Sequence, residues 1–140
     1  MWVVDTCVIL DILDGHPAFA RPSALALDGR RKDGLIVAPI TYVELAPAFN
    51  GDSESQDAFL SNLGITVTLG SRREFVLNAY HAWNDHIQRK RAGELKKRPI
   101  ADVMIGAHAL TVGGLITRNE DDFRSLYPAL NIFNPAKVDI

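Results

Sequence analysis

A fold of the α/β class, with a five-stranded and mostly parallel sheet covered by helices on both faces, is predicted by three observations on this sequence. Five short apolar runs, WVV, LIVAP, ITVTL, LIT and NIF, recur along the chain. Segments with helical spacing separate them, the alternation that builds parallel sheets through helical crossovers. The length of 140 residues suits one domain with a sizeable core, and residues 1–140 are read as a single domain.

Each element has its own local reason. WVV is a β-branched run ending at Asp5, and CVILDILDG has helical spacing closed by Gly15. PSALALDGRRKDG reads as a short helix and turn leading to the strand LIVAP, Leu35 to Pro39. ITYVELAPAF is helical at least as far as Ala46, because Pro47 disfavours helical geometry in the residue before it. GDSESQDAFLSNLG supplies another short helix, and ITVTL alternates as a strand does. The longest helix is SRREFVLNAYHAWNDHIQRK, with Ser71 as N-cap, Glu74 three residues on, and an apolar stripe of Phe75, Ala79, Ala82 and Trp83. RPIADVMIGAHAL forms the next helix, stopped by Gly113 and Gly114. LIT is then a strand, NEDDFRSL a helix with Asn119 as its cap, and NIF the last strand.

Composition narrows the function classes. No apolar run approaches the roughly 18 to 20 residues that cross a bilayer, so no membrane association is expected. The N-terminus has no basic flank and already carries Asp5, which makes it a first strand rather than a signal peptide; a cytoplasmic location is expected. Cys7 is the single cysteine, which excludes an internal disulfide and fits a reducing compartment. The net charge is only −2, yet six Lys or Arg fall in the eleven residues Gln88 to Arg98. That run is either a phosphate-binding surface or the solvated end of a helix and its loop.

The acids carry the chemistry. In sheets of this class ligands collect beyond the carboxyl ends of the strands, where the strand order reverses. Asp5 directly follows WVV, Glu44 lies five residues after LIVAP, and Glu120, Asp121 and Asp122 come soon after LIT. Asp102 heads an otherwise apolar helix and shares a face with Ile105, Gly106 and Ala109, so it is expected to turn inward, where a charge needs a partner. Ordinary helix electrostatics is the competing explanation for Asp102 behind Pro99, and capping for Asp122 behind Asn119. Carboxylates gathered in one pocket repel one another unless a cation shares it, and an all-oxygen donor set favours Mg2+ or Mn2+. A phosphate ester is the substrate class that such a site expects.

VDTCVIL, TYVELA, PIADVMIGAHAL and LITRNEDDF followed by NIFNP, in this order over nearly the whole chain, resemble the PIN-domain family, in particular its VapC-like toxins. The resemblance implies a three-layer α/β/α fold and metal-dependent endoribonuclease activity, with products carrying a 5′-phosphate and a 3′-hydroxyl. It implies Asp5, Glu44 and Asp102 as metal-holding acids. The fourth acidic position holds Asn119, with Asp121 or Asp122 as the substitute, and Thr6 and Thr117 match polar positions beside the acids. Cys7 stands where Asn or Ser is common and reads as a small core residue rather than a nucleophile. The resemblance also implies a VapB-like antitoxin whose amphipathic segment inserts a basic side chain into the acid pocket, and a homodimer. Tyr42, Phe49 and Trp83 are interface candidates, although helical aromatics are more often core. Arg72, Arg73, Arg89, Lys90, Arg91, Lys96, Lys97, Arg98 and Arg118 are the basic residues available to RNA phosphates.

Other readings lack their residues. A receiver domain needs an acid pair at the first strand end and a Lys after the last strand. There is no GxxxxGK[ST] or GxGxxG, no HExxH and no GxSxG. A catalytically silent PIN-like binding module stays open because of Asn119.

Overall fold

A computed structural model describes residues 1–67, 73–93 and 100–137, with Arg91 described by its backbone alone. Five strands, β1 (Trp2–Val4), β2 (Leu35–Val37), β3 (Ile65–Val67), β4 (Gly114–Ile116) and β5 (Ile132–Phe133), form one sheet in the order β3-β2-β1-β4-β5. All four pairings are parallel. The helices are α1 (Thr6–Leu13), α2 (Ala20–Arg30), α3 (Pro39–Glu44), α4 (Ser53–Asn62), α5 (Arg73–Arg91), α6 (Ile100–Val112) and α7 (Glu120–Leu126). Among the described residues no helix is long and apolar enough to cross a membrane.

Period-two alternation in the strands creates two cores. Val3, Ile36 and Leu115 pack with α5, α6 and α7, while Val4, Leu35, Val37 and Ile116 pack with Val8 and Ile9 of α1, Leu27 of α2 and Leu60 of α4. The result is the expected three-layer α/β/α arrangement. Chain progression turns one way from β1 to β2 and β3 and the other way to β4 and β5, so the order reverses between β1 and β4.

Element ends follow local chemistry. The strand read as Leu35 to Pro39 stops at Val37, because Pro39 has no N–H for a ladder and instead takes the first-turn position of α3. Helical geometry past Glu44 continues as a 3-10 turn, Ala46–Phe49, around Pro47, and Asn50 ends it in the left-handed region. Asp52 caps α4 by accepting from the amides of Glu54 and Ser55. Gly114 belongs to β4 rather than to the helix stop, and Gly113 alone makes that turn, at a φ of +148° with its α-carbon facing the Met1 carbonyl. The Ser71 cap expected for α5 lies outside the described residues.

α6 is buried through Val103, Ile105, Gly106, Ala107, His108 and Ala109, and its inward turn was legible in the face shared by Ile105, Gly106 and Ala109. It packs along α5, where Phe75 lies on His108 and Asn78 donates to Thr111. Phe75 and Ala79 of the α5 stripe are buried, with Ala82 and Trp83 partly so. Gly106 admits the rings of Tyr127 and Phe123; a Cβ there would stand 2.5 Å from the Tyr127 ring. The Tyr127 hydroxyl in turn donates to the Val103 carbonyl at 2.6 Å, which ties the end of α7 to α6.

Gly106→Ala should therefore destabilise the protein by about 1–3 kcal/mol through overpacking, whereas Gly29→Ala, in open space on α2, should not; thermal denaturation separates them. Burial holds the His108 imidazole below its ordinary 6.5, and its Nδ1 has no hydrogen-bond partner among the described residues. Between the depressed folded value and 6.5 the unfolded chain takes up the proton first, so stability is full above 6.5 and falls as pH drops through that window. His108→Leu should flatten this part of a stability-against-pH curve measured by denaturant titration.

Candidate active site at the strand order reversal

Asp5 is the first residue after β1 and sits at the crevice where the strand order reverses. Its backbone N–H continues the sheet by donating to the Ile116 carbonyl of β4 at 3.0 Å. The side chain then caps α1: Oδ1 accepts from the Thr6 amide at 2.8 Å. Oδ2 accepts from the Thr117 hydroxyl at 2.8 Å and from the Cys7 thiol at 3.2 Å. These donors are all neutral, and the carboxylate is only 4% exposed. Burial raises its pKa above the ordinary value, opposed by the three hydrogen bonds, and nearby Glu44 raises it further.

Glu44 is reached through hydroxyls. α3 places Thr41 and Glu44 three residues apart, hence on one side of the helix. Thr6 Oγ1 donates to Glu44 Oε1 at 2.8 Å and lies 3.0 Å from the buried Thr41 Oγ1. Asp5 and Glu44 thus flank Thr6, one on its amide and the other on its hydroxyl. Thr41 was not singled out from the sequence, though its place one turn before an acid was the available signal.

Asp102 occupies the first turn of α6 and is half-buried, with interactions of its own. Because α6 delivers the chain to the start of β4, the helix must run against the strand direction, which puts its first turn at the carboxyl edge of the sheet. α6 packs on both β1 and α3, the elements that carry Asp5 and Glu44.

The β4–α7 connection supplies the remaining polar groups. Thr117 is fully buried, and its Oγ1 both donates to Asp5 and accepts from the Asn119 amide at 3.0 Å. Asn119 holds the N-cap place of α7 without a side-chain cap bond, and its amide donates to Thr117 Oγ1. Arg118, Asn119, Asp121, Asp122, Asn134 and Lys137 line an open cleft of about 220 Å³ together with Glu120. Glu120 is neutralised by Lys137 and Arg124, both at 3.0 Å, which hold its carboxyl below the ordinary range. Asp121 is exposed and Asp122 half-buried with partners.

Among the described residues no three His, Cys, Asp or Glu side chains stand close enough to form a ready ligand cluster. A hard divalent ion fits the donors present in a looser way: one or two carboxylates, hydroxyl oxygens and water are an ordinary set for Mg2+. The buried Asp5, surrounded by neutral donors, is the group that such an ion would suit. Cys7 is not a competing thiolate ligand, since burial and the neighbouring Asp5 push its thiol up to about 12.

The basic residues divide. Arg118 is engaged by Asp11, and Arg89 reaches the Ser125 carbonyl and Asp85. Arg73 and Lys90 are exposed on α5, whereas Arg72, Lys96, Lys97 and Arg98 lie outside the described residues. Asp11, buried at 6% exposure, is a site neighbour that sequence reasoning passed over; a lone acid inside ILDIL carried the same signal as Asp102.

The family model for the PIN domain matches residues 2–127. This chain belongs to the PIN-domain family. Solved structures that share its fold include three toxin-antitoxin complexes. VapBC-1 from nontypeable Haemophilus influenzae aligns with a TM-score of 0.69 at 23% identity, covering 97% of this chain and 98% of that one. A toxin-antitoxin complex from Klebsiella pneumoniae aligns at 0.65 and 19% identity, covering 99% and 100%. VapBC2 from Rickettsia felis, bound to a DNA fragment from the promoter, aligns at 0.64 and 16% identity, covering 95% and 97%. A comparison with curated proteins finds no match.

Asp5→Asn keeps the α1 cap acceptor, gives up the bonds that Oδ2 accepts from Thr117 and Cys7, and removes a titrating carboxyl that burial disfavours, so in EDTA it should change how stability varies with pH. The sign follows from linkage: with the folded pKa raised, the folded state binds the proton more tightly, and wild-type stability gains as pH falls through the raised value toward 3.8. Asp5→Asn should lose that gain. Calorimetric midpoints across pH check this; a variant whose midpoint follows pH as that of wild type does counts against a raised Asp5 pKa.

Proposed function

We propose that this PIN-domain chain, as a single domain over residues 1–140, is a VapC-like toxin: an Mg2+- or Mn2+-dependent endoribonuclease restrained by a cognate VapB-like antitoxin. The observation that carries the reading is the buried Asp5 carboxylate at the strand order reversal, held by neutral donors and linked through Thr6 to Glu44. Family membership and the fold shared with VapBC toxin-antitoxin complexes support it.

Asp5 and Asp102, with Glu44, would hold the ion, directly or through water. When bound, the ion supplies a water of lowered pKa and offsets charge developing on the scissile phosphate. Thr117, Thr6 and the Thr6 amide orient the carboxylates, and Cys7 remains a neutral donor. Asn119 contributes an amide where an acid is common, leaving Asp121 or Asp122 as the fourth acid. Exposed Arg73 and Lys90 on α5 provide charge for phosphate positioning without base reading. A homodimer is part of this reading, with exposed Val43, Val76, Tyr80 and Ile100 as apolar side chains available to an interface, and the site of action is the cytoplasm.

A second reading, a catalytically silent module that binds RNA or protein, draws on Asn119 and on the lack of a ready three-ligand cluster among the described residues. Hydrolysis decides between them. Purified protein incubated with a panel of structured RNAs should cut in Mg2+ or Mn2+ and stop in EDTA. Asp5→Asn and Asp102→Asn should each lower kcat by about 10²-fold or more, with Glu44→Gln less affected. Undiminished cutting by either Asp variant removes that residue from the catalytic set, and metal binding without cleavage of any RNA favours the silent module.

A further inference from the structure

Arg118 was expected to serve RNA, yet its guanidinium is engaged by Asp11 even though the side chain stays 31% exposed at the cleft. Nε donates to Asp11 Oδ2 at 2.7 Å and Nη2 to Oδ1 at 3.3 Å, a two-point grip on an acid that is only 6% exposed. The same guanidinium lies 4.8 Å over the Phe19 ring. Phe19 is held in place by the corner between α1 and α2, where His16 stacks on it and accepts from the Ala18 and Phe19 amides through Nδ1. Arg118 is thus gripped by a carboxylate, an aromatic face and a tied corner.

The grip falls between two segments of the site. Asp11 belongs to α1, the helix that Asp5 caps, and Arg118 lies between Thr117 and Asn119. The Thr117 hydroxyl must accept from the Asn119 amide and donate to Asp5 at once, which demands one path for the backbone through Arg118. That path is set by the last ladder bond of the three-residue strand, from the Thr117 amide to the Phe133 carbonyl, by a backbone contact of Arg118 with the Cys7 sulfur, and by what holds the Arg118 side chain. An ion pair between a buried Asp11 and a part-exposed Arg118 is a weak source of net stability, but its two-point geometry restricts where the loop can sit.

We infer that the Asp11–Arg118 pair, backed by Phe19, is a positioning device that locks the Thr117–Asn119 turn onto α1 and so holds the Asp5 carboxylate in its working orientation. The inference rests on the proposed nuclease reading for its catalytic consequence. Arg118 acts through Thr117 rather than on substrate: its charge is already matched by Asp11, unlike that of a phosphate-contacting arginine.

The test uses the full chain with three variants: Arg118→Lys, which keeps charge without the fork; Asp11→Asn; and the double variant Asp11→Leu/Arg118→Met, which removes both charges so that neither is left buried alone. Three readouts are taken: kcat and KM for RNA cleavage in Mg2+, Mn2+ affinity by electron paramagnetic resonance, and amide hydrogen exchange. Arg118→Lys and the double variant should lose about tenfold or more in kcat with KM held within about twofold. Mn2+ binding should weaken, and the Asn119 amide should exchange faster while the Asp5 amide, bonded to Ile116, keeps its protection. The double variant should do so with a melting midpoint near wild type, which separates positioning from folding.

A rise in KM at constant kcat, with a shallower salt dependence, would make Arg118 an RNA contact and overturn the inference. Full kcat and full Asn119 protection in the double variant would reduce the pair to a structural link and overturn it equally. If wild type hydrolyses no RNA, the nuclease reading fails by itself; the exchange and Mn2+ arms still decide the positioning, with unchanged Asn119 protection refuting it.

Discussion

The architecture depends on one hydrogen-bonded junction, the meeting of Asp5 with the ends of β1 and β4. Its amide extends the sheet to Ile116, its Oδ1 starts α1, and its Oδ2 accepts from Thr117 across a sequence gap of 112 residues. Strands of two or three residues have few ladder bonds, so such a junction matters more here than in a longer sheet. It also forces a carboxylate into a region with little water. The arrangement that closes the fold is the one that creates an acidic site.

α6 meets a different requirement. A helix buried by β1, α3, α5 and α7 must be apolar nearly all round, as Val103 to Ala109 are. Gly106 lets the α7 segment approach so closely that the Tyr127 hydroxyl reaches the Val103 carbonyl. Close packing then fixes the axial position of the helix, and with it the height of Asp102 at the sheet's carboxyl edge. The carboxylate at the head of an apolar helix has a physical reason: the helix body serves the core while its first turn, with the half-buried Asp102, leaves it.

The polar groups around the site form connected units rather than isolated pairs. Glu44 to Thr6 to Thr41 links α3 with α1, and Asp11 to Arg118 to the Phe19 ring links α1 with the β4–α7 turn. Networks of this kind specify one arrangement when fully satisfied and cost stability when broken. Stabilising this protein by making its acid pocket apolar would therefore remove the features that distinguish the pocket from ordinary core.

The sequence by itself determined the succession of strands and helices, the two-faced sheet and the family, because each rests on local periodicity, on Pro and Gly punctuation, or on motifs that keep their order along the chain. WVV, the α5 stripe and the inward face of α6 could be read without coordinates for that reason. Pro39 was misread as strand, since the same residue ends a ladder or opens a helix depending on which neighbour receives it. Asp5 and Glu44 were legible as acids after strands; their linkage through Thr6, the role of Thr41, and the capture of Arg118 by Asp11 were not. Those depend on side-chain directions across 35 to 112 residues of separation, which only the packed sheet and its helices decide.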